Sequence, residues 1–137
     1  MKTVFADSHY WIAIVNPNDQ WTTAAKAAKS SLGDIFIVTT DEVLTEFLAA
    51  LSKGEHMRKQ AAKMVRAILE NPNVRVVPQT RDSFLKGLTL YEKRSDKEYS
   101  LTDCISMNVM KAELLIEVLT KDRHFEQEGF SVLIKKP

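Results

Sequence analysis

The chain has 137 residues, 45% hydrophobic and 27% charged, and its 19 basic and 18 acidic side chains leave a formal net charge of +1. That length suits one domain over 1–137, and the near-neutral total excludes a disordered chain or a nucleic-acid binder that works by bulk positive charge. The one cysteine, Cys104, excludes a disulfide framework and a Cys-rich zinc site, and no apolar run approaches the ~20 residues that span a bilayer, so a soluble, cytoplasmic domain with no membrane partner is expected.

Two periodicities alternate along the chain. Lys2 to Ala6 is a short extended run led by Val4 and Phe5, and Met1-Lys2 enters it without a signal-peptide pattern. Helical spacing follows in Ser8 to Val15 and again in Trp21 to Ser31, with Gly33 as a stop. Ile35-Phe36-Ile37-Val38 reads as a strand buried on both faces. Thr39 and Glu42 have the spacing of a capping box, predicting a helix from about Thr40 to Ser52 that Gly54 closes. A further helix from about Glu55 to Glu70 stops before Pro72, and Val74 to Val77 is the third strand. Arg81 to about Arg94 is helical, Ser95 to Ser100 a loop and Thr102 to Glu113 a helix. Ile116 to Thr120 is the fourth strand, Arg123 to Glu128 a short helix and Ser131 to Ile134 the fifth strand. Strands alternating with helices in this way predict an α/β three-layer sandwich around a central, mainly parallel five-stranded sheet.

Ligands of open parallel sheets collect at the carboxyl ends of the strands, where Asp7 follows the first and Asp122 the fourth. Either acid alone is accounted for as a helix cap. Glu46 and Asp103 alter that balance, although each alone also has an ordinary reading, Glu46 as an exposed residue of good helix propensity and Asp103 as an acid favoured by the helix dipole. Val43, Leu44, Phe47, Leu48 and Leu51 form the apolar stripe of their helix, and Glu46 lies off it with Ala49 and Ala50 where a solvated Glu would have Lys or Arg. Asp103 is the sole charge in its helix before Lys111, which marks that helix as largely buried, and Ser106 and Met107 give it no local cation. Four uncompensated acids that converge would repel one another unless a cation joins them. An all-carboxylate site suits Mg²⁺ or Mn²⁺ rather than zinc, and such ions serve phosphodiester hydrolysis.

In order along the chain stand Phe5-Ala6-Asp7-Ser8, then Leu44-Thr45-Glu46-Phe47-Leu48, then Ser100-Leu101-Thr102-Asp103-Cys104-Ile105-Ser106. Leu119-Thr120-Lys121-Asp122-Arg123-His124-Phe125 and Gly129-Phe130 follow. Together these segments resemble the PIN domain, and most closely the VapC-type toxins of prokaryotic toxin–antitoxin pairs. The likeness runs from Val4 to Leu133, with the third and fourth segments its most specific parts. It implies a metal-dependent endoribonuclease acting on RNA, commonly a homodimer, silenced by a cognate antitoxin whose C-terminal segment covers the active site. It carries catalytic and metal-ligating roles onto Asp7, Glu46, Asp103 and Asp122 with Mg²⁺ or Mn²⁺. Glu42 is a substitute for Glu46, Asp122 acts partly through water, and Thr120 is the hydroxyl that orients a ligand or a water. The alternative is a non-catalytic PIN-like domain that binds nucleic acid or a partner, its acids serving only as caps. A phosphotransfer hydrolase with an Asp nucleophile fits poorly, because His9 stands where a second Asp would be needed.

Other features read more simply. His9, His56 and His124 have no ligand spacing and read as surface or supporting residues; His124 sits near Asp122 and could touch a phosphate, but a solvated helix start is the favoured reading. Cys104 reads as a small buried thiol. Trp11, Trp21 and Tyr10 read as core or dimer packing. Lys53, Arg58, Lys59, Lys63 and Arg66, then Lys93, Arg94 and Lys97, read mainly as solvated faces that could also flank an acidic cleft and hold an RNA backbone.

Overall fold

A computed structural model describes residues 1–136 of the chain. In chain order the elements are β1 (Lys2–Ala6), α1 (Ser8–Val15), α2 (Thr22–Leu32), β2 (Ile35–Thr40), α3 (Asp41–Ala50) and α4 (Glu55–Glu70). Then follow β3 (Val74–Val77), α5 (Arg81–Lys93), α6 (Leu101–Ala112), β4 (Glu117–Leu119), α7 (His124–Gln127) and β5 (Ser131–Val132). The strands form one five-stranded sheet in the order β3-β2-β1-β4-β5, and every pairing is parallel. Right-handed crossovers run outward from β1 to β3 and then back across to β4 and β5. They therefore put α1 to α4 over one face and α5 to α7 over the other.

The core follows from the apolar strand residues. Val4, Phe5, Ile37, Val38, Val118 and Leu119 are buried in the sheet, and Val43, Phe47, Met107, Met110 and Phe125 close on them from the helices. The uncharged α6 is buried along most of its length, as its composition requires. Gly87 on α5 sits so close to α6 that a Cβ there would meet Ile105 Cγ1 at 2.5 Å. That contact explains glycine inside a helix, where it is otherwise unfavourable.

Three local expectations are corrected. The strand Ile35–Thr40 runs two residues beyond Val38, because Thr39 and Thr40 still pair with Val76 and Val77 of β3. The cap of α3 is consequently Thr40, whose Oγ1 accepts the Val43 N–H at 3.0 Å, while Thr39 Oγ1 donates to the Ala6 carbonyl at 2.8 Å. The Thr39–Glu42 box does not form. Leu48 leaves the apolar stripe of α3 and is 38% exposed, since α3 turns only its Val43, Leu44 and Phe47 edge to the core.

Candidate active site

The strand order reverses between β1 and β4, and this is the point where a parallel sheet opens a crevice beyond its carboxyl ends. Asp7 and Thr120 leave the two strands side by side. Ala6 pairs with Leu119, and the Asp7 N–H donates to the Leu119 carbonyl at 3.1 Å. Asp7 occupies the N-cap position of α1 in extended backbone, yet its side chain makes no capping bond. Its Oδ2 instead accepts from Thr120 Oγ1 at 2.9 Å, and both residues are buried. Capping does not account for Asp7.

The other acids reach the crevice from α3, α6 and the turn after β4. Glu46 on α3 is half-buried, and its Oε1 accepts from Ser8 Oγ at 2.5 Å, so the first residue of α1 steers it. Asp103 lies in the first turn of α6, held by a reciprocal capping box with Ser100: the Ser100 N–H donates to Asp103 Oδ2 at 3.0 Å, and the Asp103 N–H donates to Ser100 Oγ at 3.0 Å. Asp122 Oδ1 accepts the His124 N–H at 2.9 Å, and the Asp122 N–H donates to Thr120 Oγ1 at 3.1 Å. Asp103 thus does cap, while Asp122 precedes the Arg123 N-cap of α7 and accepts the helix's first N–H; each spends one oxygen in this way.

The acids act on one another. Burial first, then the charges of Glu46 and Asp122, push the Asp7 carboxyl up to about 7 against the pull of Thr120 and the Ser8 backbone. Burial, then Asp7, Asp122 and Glu46, push Asp103 up to about 6 against the Ser100 backbone. Glu42 takes no part in this, since its Oε2 turns to Ser83 Oγ at 3.3 Å. Glu42 does border a cleft of about 320 Å³ with Thr45, Glu46, Ala49, Gln79 and Thr102. Sharing Glu42, Gln79 and Thr102, a groove of about 470 Å³ continues past Arg81 and Phe84, whose guanidinium and ring lie 5.4 Å apart.

These residues fit a hard divalent cation. Asp7 Oδ1 is buried and has no hydrogen-bond partner among the described residues. A buried carboxylate oxygen left so costs free energy that a cation would recover. Asp103, Asp122 and His124 each bring one donor atom within 4.8 Å of the others. Sequence reasoning underrated two residues here. Ser8 carried no signal beyond its place after Asp7. His124 was read as a solvated helix start, but it is half-buried, and its Nδ1 lies 3.1 Å from Asp122 Oδ1.

The remaining features divide differently. His9 is half-buried beside the acids, and burial and then Lys121 hold its imidazole below the ordinary range, against Asp122, Glu46 and Asp103. Cys104 is fully buried, and its thiol is pushed up to about 11 by burial and then by Asp103, which leaves it inert as a nucleophile. Trp11 and Tyr10 are core residues, and Trp21 carries the Lys136 ammonium 4.4 Å from its ring centroid. Arg94 is not free for RNA: its Nε bonds Glu128 Oε1 at 2.5 Å.

The PIN domain family profile matches residues 4–130. Among curated proteins, the 23S rRNA-specific endonuclease VapC20 of Mycobacterium tuberculosis is 27% identical over 127 residues, which cover 93% of this chain and 95% of the relative. The crystal structure of M. tuberculosis VapC20, a Sarcin-Ricin loop cleaving toxin, superposes with a TM-score of 0.83 at 24% identity over 93% of this chain and 95% of that one. FitAcB from Neisseria gonorrhoeae superposes at 0.64 and 16% identity, over 95% of this chain and 96% of that one. VapBC2 from Rickettsia felis, bound to a DNA fragment from its promoter, superposes at 0.62 and 13% identity with the same coverage. A parallel sheet in this order with acids gathered at its switch point is the PIN architecture, and this chain belongs to the PIN domain family. Its relatives lie among the VapC-type members. Among the described residues no helix is long and apolar enough to cross a membrane.

Proposed function

We propose that this chain is a divalent-metal-dependent endoribonuclease, the toxin of a toxin–antitoxin pair, working as a single PIN-like unit over 1–137 in the cytoplasm. The observation that carries the reading is Asp7: a buried carboxylate with one orphaned oxygen, facing the charges of Glu46, Asp103 and Asp122. In this reading the four acids hold Mg²⁺ or Mn²⁺, Thr120 aims Asp7, and Ser8 aims Glu46. The bound ion supplies a water acidic enough to attack phosphorus at neutral pH and offsets charge on the phosphate oxygens. The groove past Thr102, Arg81 and Phe84 offers the RNA strand a cation and an aromatic face beside the acids.

VapC20 acts on 23S rRNA, so ribosomal RNA is the first substrate to offer. The VapBC relative supports an antitoxin as the natural partner. The apolar side chains exposed along α5, Leu85, Leu88 and Tyr91, suit a homodimer, which sedimentation would detect. The test compares RNA cleavage in Mg²⁺ by the wild type, Asp7→Asn and Asp103→Asn. Activity falling by about 10²-fold or more supports the reading, and equal rates in all three would sink it in favour of a non-catalytic binding domain.

A further inference from the structure

The three-donor cluster contains a nitrogen. His124 stands at the start of α7, where its own N–H bonds Asp122 Oδ1 at 2.9 Å and so locks the two residues together. Its Nδ1 is buried, lies 3.1 Å from the same oxygen and has no hydrogen-bond partner among the described residues. The ring is backed by Tyr99, with centroids 5.6 Å apart, and Tyr99 is itself held by its hydroxyl donating to Glu128 at 3.1 Å. A second observation that favours a cation here is the orphaned Oδ1 of Asp7, a residue 1% exposed.

We infer that His124 is a metal ligand, forming with Asp103 and Asp122 a mixed nitrogen–oxygen site that prefers Mn²⁺ to Mg²⁺. This rests on the reading above that the acids hold a divalent ion. Two physical reasons carry it. A metal-bound imidazole is neutral, so it adds a donor to Asp103 and Asp122 without adding to the repulsion among the carboxylates. Imidazole nitrogen also suits transition ions, whereas Mg²⁺ keeps to oxygen, so the nitrogen separates the two ions. The Asp122–His124 backbone bond and the Tyr99 ring are what orient the imidazole.

The experiment is electron paramagnetic resonance of the purified full chain titrated with Mn²⁺ alone, followed by electron spin-echo modulation. The expected result is bound Mn²⁺ with ¹⁴N modulation that disappears in His124→Gln, together with Mn²⁺ affinity about tenfold weaker and Mg²⁺ affinity changed less. The double variant His9→Gln/His56→Gln, in which His124 is the one histidine left, should keep the modulation. That arm stands even where His124→Gln fails to fold. Bound Mn²⁺ without ¹⁴N modulation, or modulation that survives in His124→Gln or vanishes in the double variant, overturns the role of His124 and leaves the metal reading intact. Failure to bind Mn²⁺ at all overturns both.

Discussion

Thr120 Oγ1 donates to Asp7 Oδ2 at 2.9 Å, joining residues 113 positions apart in sequence, and accepts the Asp122 N–H at 3.1 Å. One hydroxyl thus sets two of the four acids across the point where the strand order reverses. Thr120→Val keeps the shape and deletes both bonds. The folded protein should lose about 1–3 kcal/mol, because a buried carboxylate oxygen and a backbone N–H lose their partner. RNA cleavage should fall about 10- to 100-fold through misaligned acids. Chemical denaturation and initial rates check the two effects separately.

Burial lifts the Asp7 and Asp103 carboxyls to about 7 and about 6 from an ordinary 3.8. The folded metal-free chain therefore binds protons that the unfolded chain releases. Their contribution to stability is complete below about 3.8 and is lost as pH rises through 6 and 7. The melting temperature in chelator should consequently be higher near pH 5.5 than near pH 8. Asp7→Asn should flatten this slope, raise the metal-free melting temperature at pH 8 and abolish stabilisation by added metal. A wild-type melting temperature that is flat with pH in chelator would refute the account.

Glu128 gathers Arg94 Nε at 2.5 Å, the Tyr99 hydroxyl at 3.1 Å and Lys111 Nζ at 3.5 Å. It ties the loop before α6 to the end of α7, and so ties the element carrying Asp103 to the one following Asp122. The Arg94 bond, more than burial opposes it, holds the Glu128 carboxyl below the usual range. Its stabilisation is therefore present above the ordinary carboxylate pKa and is lost as pH falls through the lowered value, on the acid side of the slope set by Asp7. Glu128→Gln should lower stability by about 1.5–3 kcal/mol near neutral pH and lessen the acid sensitivity, both read from melting curves across pH.

Gly87→Ala places a methyl group 2.5 Å from Ile105 Cγ1, too near for packing without movement of the Ile105 side chain or of α6. Although Ala is the better helix former, the substitution should destabilise by about 1–3 kcal/mol. Because α6 carries Asp103, metal affinity should weaken alongside. Pairing Gly87→Ala with Ile105→Val should restore part of both, and thermal shift with and without Mn²⁺ tests this.

Near-neutral total charge, which excludes bulk electrostatic binding, coexists with a crevice in which Glu46 and Asp103 have no Lys or Arg one helical turn on. The absence of Lys or Arg after Glu46 and Asp103 was readable because helix neighbours lie three and four residues apart. The same rule could not reveal that Arg94, read as a rim for RNA, belongs to Glu128 34 positions away.

Sequence alone was sufficient for what depends on local periodicity. β3 at Val74–Val77 and α4 at Glu55–Glu70 stand where apolar spacing and Pro72 put them, and the alternation of strands and helices dictated a parallel sheet. It also singled out the four acids proposed as metal ligands, through residue types in order along the chain. Strand order and side-chain direction were left to the tertiary structure. The return of the chain from β3 to pair β4 with β1 is what brings Thr120 to Asp7, and the backbone turn at Asp122 is what draws His124 inward. Such contacts depend on how distant segments meet in space, and local pattern carries no record of that distance.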